Sequence, residues 1–235
     1  MLKLIAAVGF LSVFVLTGCD MEPVATGPVQ TDHRSIGRDK SELVRADLRM
    51  GAGELHVRGG AQELMEGDFR YNVAEWKPEL RYNNTGFRGI LTLEQPHTAK
   101  MSHDTTNYWN VKFNNDTPVD LTVQLGAGEV TLDLGSLALR SVEVNIGAGE
   151  MKMDLRGTPK HDYDVRVRGG VGEATIHLPQ GVGVMAEVHG GLGGINVHGM
   201  RKRGSQYVND SYNDAKVRVQ LDVKGGIGAI NLYAN

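Results

Sequence analysis

The sequence predicts an all-β domain: a solenoid of parallel β-strand rungs, each about 21 residues long and creased at a Gly-x-Gly bend. Three observations predict it, namely a recurring glycine triplet, period-two alternation of apolar residues on both sides of it, and near-constant spacing. The triplet occurs as Gly51-Ala52-Gly53, Gly126-Ala127-Gly128, Gly147-Ala148-Gly149, Gly170-Val171-Gly172, Gly191-Leu192-Gly193 and Gly226-Ile227-Gly228. Intervals of 21, 23 and 21 residues separate Gly126, Gly147, Gly170 and Gly191, with 75 residues before that run and 35 after it.

Aligned on the triplet, the flanking residues form apolar columns. Three positions before it stand Leu48, Val123, Val144, Val167, Val188 and Val223, and two after it Leu55, Val130, Met151, Ala174, Ile195 and Ile230. Strict alternation implies half-buried strands, because successive side chains of a strand point to opposite faces. The triplet reads as a bend, since glycine reaches positive φ without a Cβ clash.

Residue volumes vary in a coordinated way around the bend. Met50, Leu125 and Ile146 precede triplets with a central Ala, whereas Gly169, Gly190 and Gly225 precede triplets centred on Val171, Leu192 and Ile227. The expectation is that one large side chain per rung fills the same interior corner from either side of the bend. A rung this short cannot bury its apolar face alone, so rungs must stack. Stacking in sequence order would place Glu143, Arg166 and Glu187 side by side as alternating charges.

The two long gaps hold other material. Residues 59–118 carry a concentration of aromatics, including Trp76, Phe87, Tyr108 and Trp109, and are expected to form irregular rungs or an added sheet. Residues 199–215 are polar and read as a surface loop, with Arg201-Lys202-Arg203 at its tip. The solenoid domain is assigned to residues 43–235.

Before it, Lys3 and the apolar run Leu4 to Leu16 have the form of a secretory signal, too short to span a bilayer as a helix. Leu16-Thr17-Gly18-Cys19 resembles a bacterial lipobox. The resemblance implies cleavage of residues 1–18, a diacylglyceryl group on the Cys19 sulfur, and acylation of the new amine with a chain such as palmitate. Residues 19–42 are rich in Pro, Gly and polar side chains and are expected to be a flexible tether. Cys19 is the single cysteine, so the domain is stabilised without disulfides.

A formal net charge of -3 gives no basic surface for nucleic acid, and no such partner is expected. No Gly-x-Ser-x-Gly elbow, His-Glu-x-x-His helix or phosphate-binding P-loop is visible. The Gly-x-Gly triplets are not dinucleotide fingerprints, which open a helix within a βαβ unit. Neither an enzyme nor a cofactor is expected.

The segment Leu121 to Leu134, followed by Val142 to Glu150, resembles the repeated core of bacterial toast-rack domains. Leu64 to Phe69 and Lys77 to Tyr82 resemble the N-terminal portion of that family. The resemblance implies a single-stranded right-handed parallel β-helix, an extracytoplasmic location and no catalytic residues. Related domains occur in surface adhesins and in membrane proteins that report cell-wall stress.

Three constellations are candidate sites. Glu129, Glu150 and Glu173 follow the triplet on adjacent rungs and would form a carboxylate ladder able to attract a hard cation or polymer. Asp133, Asp154, His177 and His198 would share a second outward column, whose histidines could bind metal if they converged. Trp76, Tyr108 and Trp109 could form an aromatic platform for a sugar or protein. The expectation is a non-enzymatic, membrane-anchored envelope lipoprotein that displays the solenoid as a scaffold or adhesin-like module to an envelope protein or glycan. A sensor of wall stress and a polysaccharide-active enzyme are the alternatives.

Overall fold

The computed structural model describes residues 25–96 and 104–234. The signal segment and Cys19 lie outside the described residues. Fifteen strands form one sheet: β1 (Gln30–Ile36), β2 (Leu43–Gly59), β3 (Met65–Tyr71), β4 (Glu79–Asn84), β5 (Arg88–Glu94), β6 (Asn107–Phe113), β7 (Val119–Asp133), β8 (Leu139–Asp154), β9 (Tyr163–His177), β10 (Gly183–His189), β11 (Ile195–His198), β12 (Arg201–Arg203), β13 (Gln206–Val208), β14 (Arg218–Ile227) and β15 (Ile230–Tyr233). Two short 3-10 turns, Ala74–Trp76 and Asp210–Tyr212, are the helical elements among the described residues.

β2, β7, β8 and β9 are long strands that run through the triplet and pair in parallel, residue for residue in the predicted register. Leu48 meets Val123, Val123 meets Val144, and Val144 meets Val167. These valines and leucines are buried, as are Leu55, Val130 and Met151 on the second arm. Burying one such side chain stabilises the fold by about 1.5–3 kcal/mol.

The glycines are required where they stand. The last glycine of every triplet has positive φ, between 132° at Gly128 and 144° at Gly193. A Cβ on Gly128 would lie 1.9 Å from the Gly53 carbonyl oxygen, and one on Gly149 would lie 1.8 Å from that of Gly128.

The rungs are not stacked in sequence order. The first arm of β2 pairs with β5 and its second arm with β6, so β5 and β6 form a layer outside the one that precedes them in the chain. At the other end, β14 and β15 lie between β9 and the β10–β11 layer. The alternating-charge column is corrected accordingly. Arg166 lies between Glu143 and Asp222, and Glu187 lies beyond Asp222.

The β5–β6 layer has no glycine triplet, and two amides replace it. Asn107 donates to the Ala52 carbonyl at 2.7 Å and to Gln95 Oε1 at 2.9 Å, while Gln95 Oε1 accepts the Gly51 backbone N–H at 3.0 Å.

The interior-corner expectation holds on one side only. Met50, Leu125 and Ile146 are buried, but Val171, Leu192 and Ile227 are 53%, 72% and 53% exposed. The middle residue of the triplet points outward, so a large residue there does not replace the one lost before the bend. Ile230 and Ile195 partly refill the interior, reaching 3.0 Å and 3.2 Å from the Cβ positions of Gly225 and Gly190. A Cβ on Gly169 would meet nothing within 4 Å, and a cavity of about 30 Å³ remains beside it.

Antiparallel strands close the ends. β4 covers β5, β3 covers β6 with β1 outside it, and β13 covers β10 with β12 outside it. Residues 30–36, expected within the tether, are thus a strand of the domain. The 199–215 loop contains the β12–β13 hairpin, and its Val208 and Asn209 are buried.

Candidate functional site

Each rung presents outward ladders, because in-register parallel pairing sets equivalent side chains about 4.8 Å apart. The carboxylate ladder forms as expected: Glu54, Glu129, Glu150 and Glu173 are successive register partners. Glu129, Glu150 and Glu173 are exposed, so water screens their mutual repulsion. Lys152 stands 3.8 Å from Glu150, and Glu173 accepts a 2.7 Å hydrogen bond from Asn231. Asn231, which is the register partner of Thr175 in the neighbouring column, accepts in turn from Asn196 at 2.8 Å.

The second column differs from expectation. Asp133, Asp154 and His177 are successive partners, but the next member is Tyr233, with His198 beyond it. Tyr233 is sandwiched between the two imidazoles, its ring 5.1 Å from His177 and 4.9 Å from His198. The tyrosine separates the two proposed ligands. Asp154 is engaged as well: Arg156 Nε donates to both of its oxygens at 3.0 Å, which holds its carboxyl below the usual range. Among the described residues, no group of three or more His, Cys, Asp or Glu side chains is arranged to hold a metal.

The aromatic platform does not form. Trp76 and Trp109 are fully buried, and Trp109 packs edge-on to Phe69 at 5.7 Å. Both indole N–H groups lie buried without a hydrogen-bond partner. Tyr108 is half-buried against His56 at 5.0 Å. The strongly exposed aromatic in this region is Phe87. It follows Gly86 in a turn where strand alternation stops, so the sequence pattern gave no signal for its direction.

The alternation did contain a feature that the motif search missed. Along the outside of the bends runs an open trough of about 860 Å³. Its floor is the bare backbone of the first triplet glycines, and one wall is the column Arg49, Gln124, Asn145, Arg168 and Lys224. Among the described residues, no carboxylate lines it. Arg49 is paired with Asp47, and Arg168 with Asp222 at 2.7 Å, while Lys224 is exposed. Met50, Leu125 and Ile146 also line the trough, so it is a largely apolar floor edged by amides and cations, and that edge can hydrogen-bond hydroxyls and anionic groups of an extended polymer.

The register and these ladders define an all-β protein built of in-register stacked strands. The chain belongs to the toast-rack family: residues 25–177 match the N-terminal domain of toast_rack, and residues 135–232 match the cell wall-active antibiotics response LiaF, C-terminal family. It is similar to a crystallised candidate cell adhesion protein from Clostridium sporogenes, with 31% identity and a TM-score of 0.86, covering 88% of this chain and 100% of that one. Candidate adhesins from Bacteroides fragilis (9% identity, TM-score 0.32, 87% and 96% of the two chains) and Parabacteroides merdae (12%, 0.26, 90% and 98%) are too distant to bear on function. No curated protein matches the sequence. Among the described residues, no helix is long and apolar enough to cross a membrane.

Proposed function

We propose that this protein is a non-enzymatic envelope lipoprotein, anchored through Cys19, that displays a right-handed β-helix as an adhesin-like binding module. The observation that carries the reading is the trough of cations and amides across the bends. The likeness over 88% of the chain to a candidate cell adhesion protein supports it. Right-handedness follows from the general chirality of parallel crossovers. Two acyl chains at Cys19 would hold the protein firmly, whereas one would not.

Two measurements test the reading. Cys19→Ala should move the protein from the membrane to the soluble extracytoplasmic fraction. Wild-type protein should co-sediment with isolated envelope material, and the triple variant Arg49→Gln, Arg168→Gln, Lys224→Gln should do so markedly less. Wild-type protein that binds no envelope fraction removes the reading.

A second reading, an accessory sensor of cell-wall stress, is supported by the match of residues 135–232 to the LiaF C-terminal family. A deletion strain with unchanged tolerance to wall-active antibiotics counts against it. The polysaccharide-active alternative would need free carboxylates in a groove, and Asp154 is tied to Arg156. Cleavage of any substrate in a broad glycan panel would revive it.

A further inference from the structure

The solenoid has four arm ends, and among the described residues three are covered. β4 covers β5, β3 covers β6, and β13 covers β10, each running antiparallel to the strand that it covers. The fourth, β11, pairs with β15 and with nothing on its outer edge. A bare edge presents unpaired N–H and C=O groups, which soluble proteins normally blunt with charge, proline or a bulge. The first arm at this end is blunted in that way, since its outermost strand is Arg201-Lys202-Arg203, fully exposed. β11 reads Ile195-Asn196-Val197-His198, four residues with no charged side chain, proline or bulge, so its shortness is its one protection.

The bare edge adjoins an apolar patch. Val171 and Ile227 are register partners, and Leu192 is bridged to Ile227. They are three of the seven exposed large apolar residues among those described. Apolar side chains clustered beside an open strand edge mark an interaction surface rather than scattered exposure.

We infer that β11 pairs with β11 of a second copy of this chain about a two-fold axis, with Leu192 covered in the contact. Two-fold symmetry makes the strands antiparallel, the direction in which the other three ends are closed. Ile-Asn-Val-His carries no permanent charge, so self-pairing brings no like charges together. The interaction does not depend on the trough or its ligand. Copies anchored in one leaflet would reinforce it through high local concentration.

The test uses the full chain. Sedimentation equilibrium in detergent should show a concentration-dependent dimer, and Leu192→Lys or Asn196→Lys should raise its dissociation constant at least about tenfold. Thermal melts of Leu192→Lys should match wild type, since that side chain is exposed, and Asn196→Lys should lose only the modest contribution of its hydrogen bond to Asn231. In membranes, Asn196→Cys should give an oxidative dimer and Glu129→Cys, in the middle of the stack, should not. A wild-type monomer at every concentration overturns the inference, as does equal cross-linking at positions 129 and 196. Loss of trough binding with the dimer intact would sink the proposed function alone.

Discussion

His198 lies face to face with Tyr233, ring centroids 4.9 Å apart and planes within 5° of parallel. His177 covers the opposite face of the same tyrosine at 5.1 Å. Parallel in-register strands impose this arrangement, because equivalent positions on three adjacent layers must stack. Tyr233→Ala should lower stability by about 1 kcal/mol, in line with the value of aromatic pairs beyond their buried area. Tyr233→Phe should be nearly neutral. Urea unfolding of the two variants separates ring stacking from any contribution of the hydroxyl.

Glycines of different rungs should respond oppositely to alanine. Gly128→Ala forces a Cβ to within 1.9 Å of a neighbouring carbonyl at φ +132°, and should cost about 4 kcal/mol or more. Gly169→Ala places its Cβ in open space beside the cavity and should stabilise by about 0.4–1 kcal/mol. Thermal melts of both proteins decide the matter. Equal destabilisation would mean that the corner void is not there.

Acid should loosen the β4 cap first. The Asp39 carboxylate accepts hydrogen bonds from Tyr82 Oη at 2.6 Å, Asn84 Nδ2 at 2.5 Å and the Ser41 backbone N–H at 2.8 Å. These donors, Tyr82 first, hold its carboxyl far below the ordinary 3.8. The folded-state pKa is depressed, so the stabilisation is present above the unfolded value and is lost as pH falls below it. Wild-type stability should therefore drop on acidification below about pH 4, and Asp39→Asn should flatten that drop. Urea midpoints near neutrality and at about pH 3 measure it.

Tryptophan emission reports directly on the N-terminal layers. With Trp76 and Trp109 fully buried, the folded protein should emit at short wavelength and resist iodide quenching. Trp109→Ala should cost about 3–5 kcal/mol. Ready quenching in the folded state would return these rings to the surface.

Register was legible in the sequence, and order was not. Aligning the triplets was enough to pair Leu48 with Val123 and Val144 with Val167, because one shift would turn every apolar side chain to solvent. The same uniformity makes rungs interchangeable. Val223 sits as well against Val167 as Val188 would have, so the columns cannot say which rung is neighbour to which. The 35-residue interval to the last triplet gives the chain slack to place β14 inside the stack.

The site was legible to the same degree. The glutamate ladder follows from register alone, whereas the separation of His177 from His198 depends on order and was missed. Trp76 stands in the 3-10 turn Ala74–Trp76, where no strand alternation sets a face, whereas Trp109 shares the inward face of β6 with Val111 and Phe113, so its burial was legible.

The placement of β14 and β15 has a consequence for synthesis. Both of their neighbours, β9 and β10–β11, leave the ribosome earlier, and they carry the same alternation, so their strand edges could pair with each other in the same register. The seam must stay open until its filler is translated, or a mispaired intermediate must reopen to admit it. Slow refolding limited at this seam, and trapped species in chains cut before Arg218, are what such a late insertion entails.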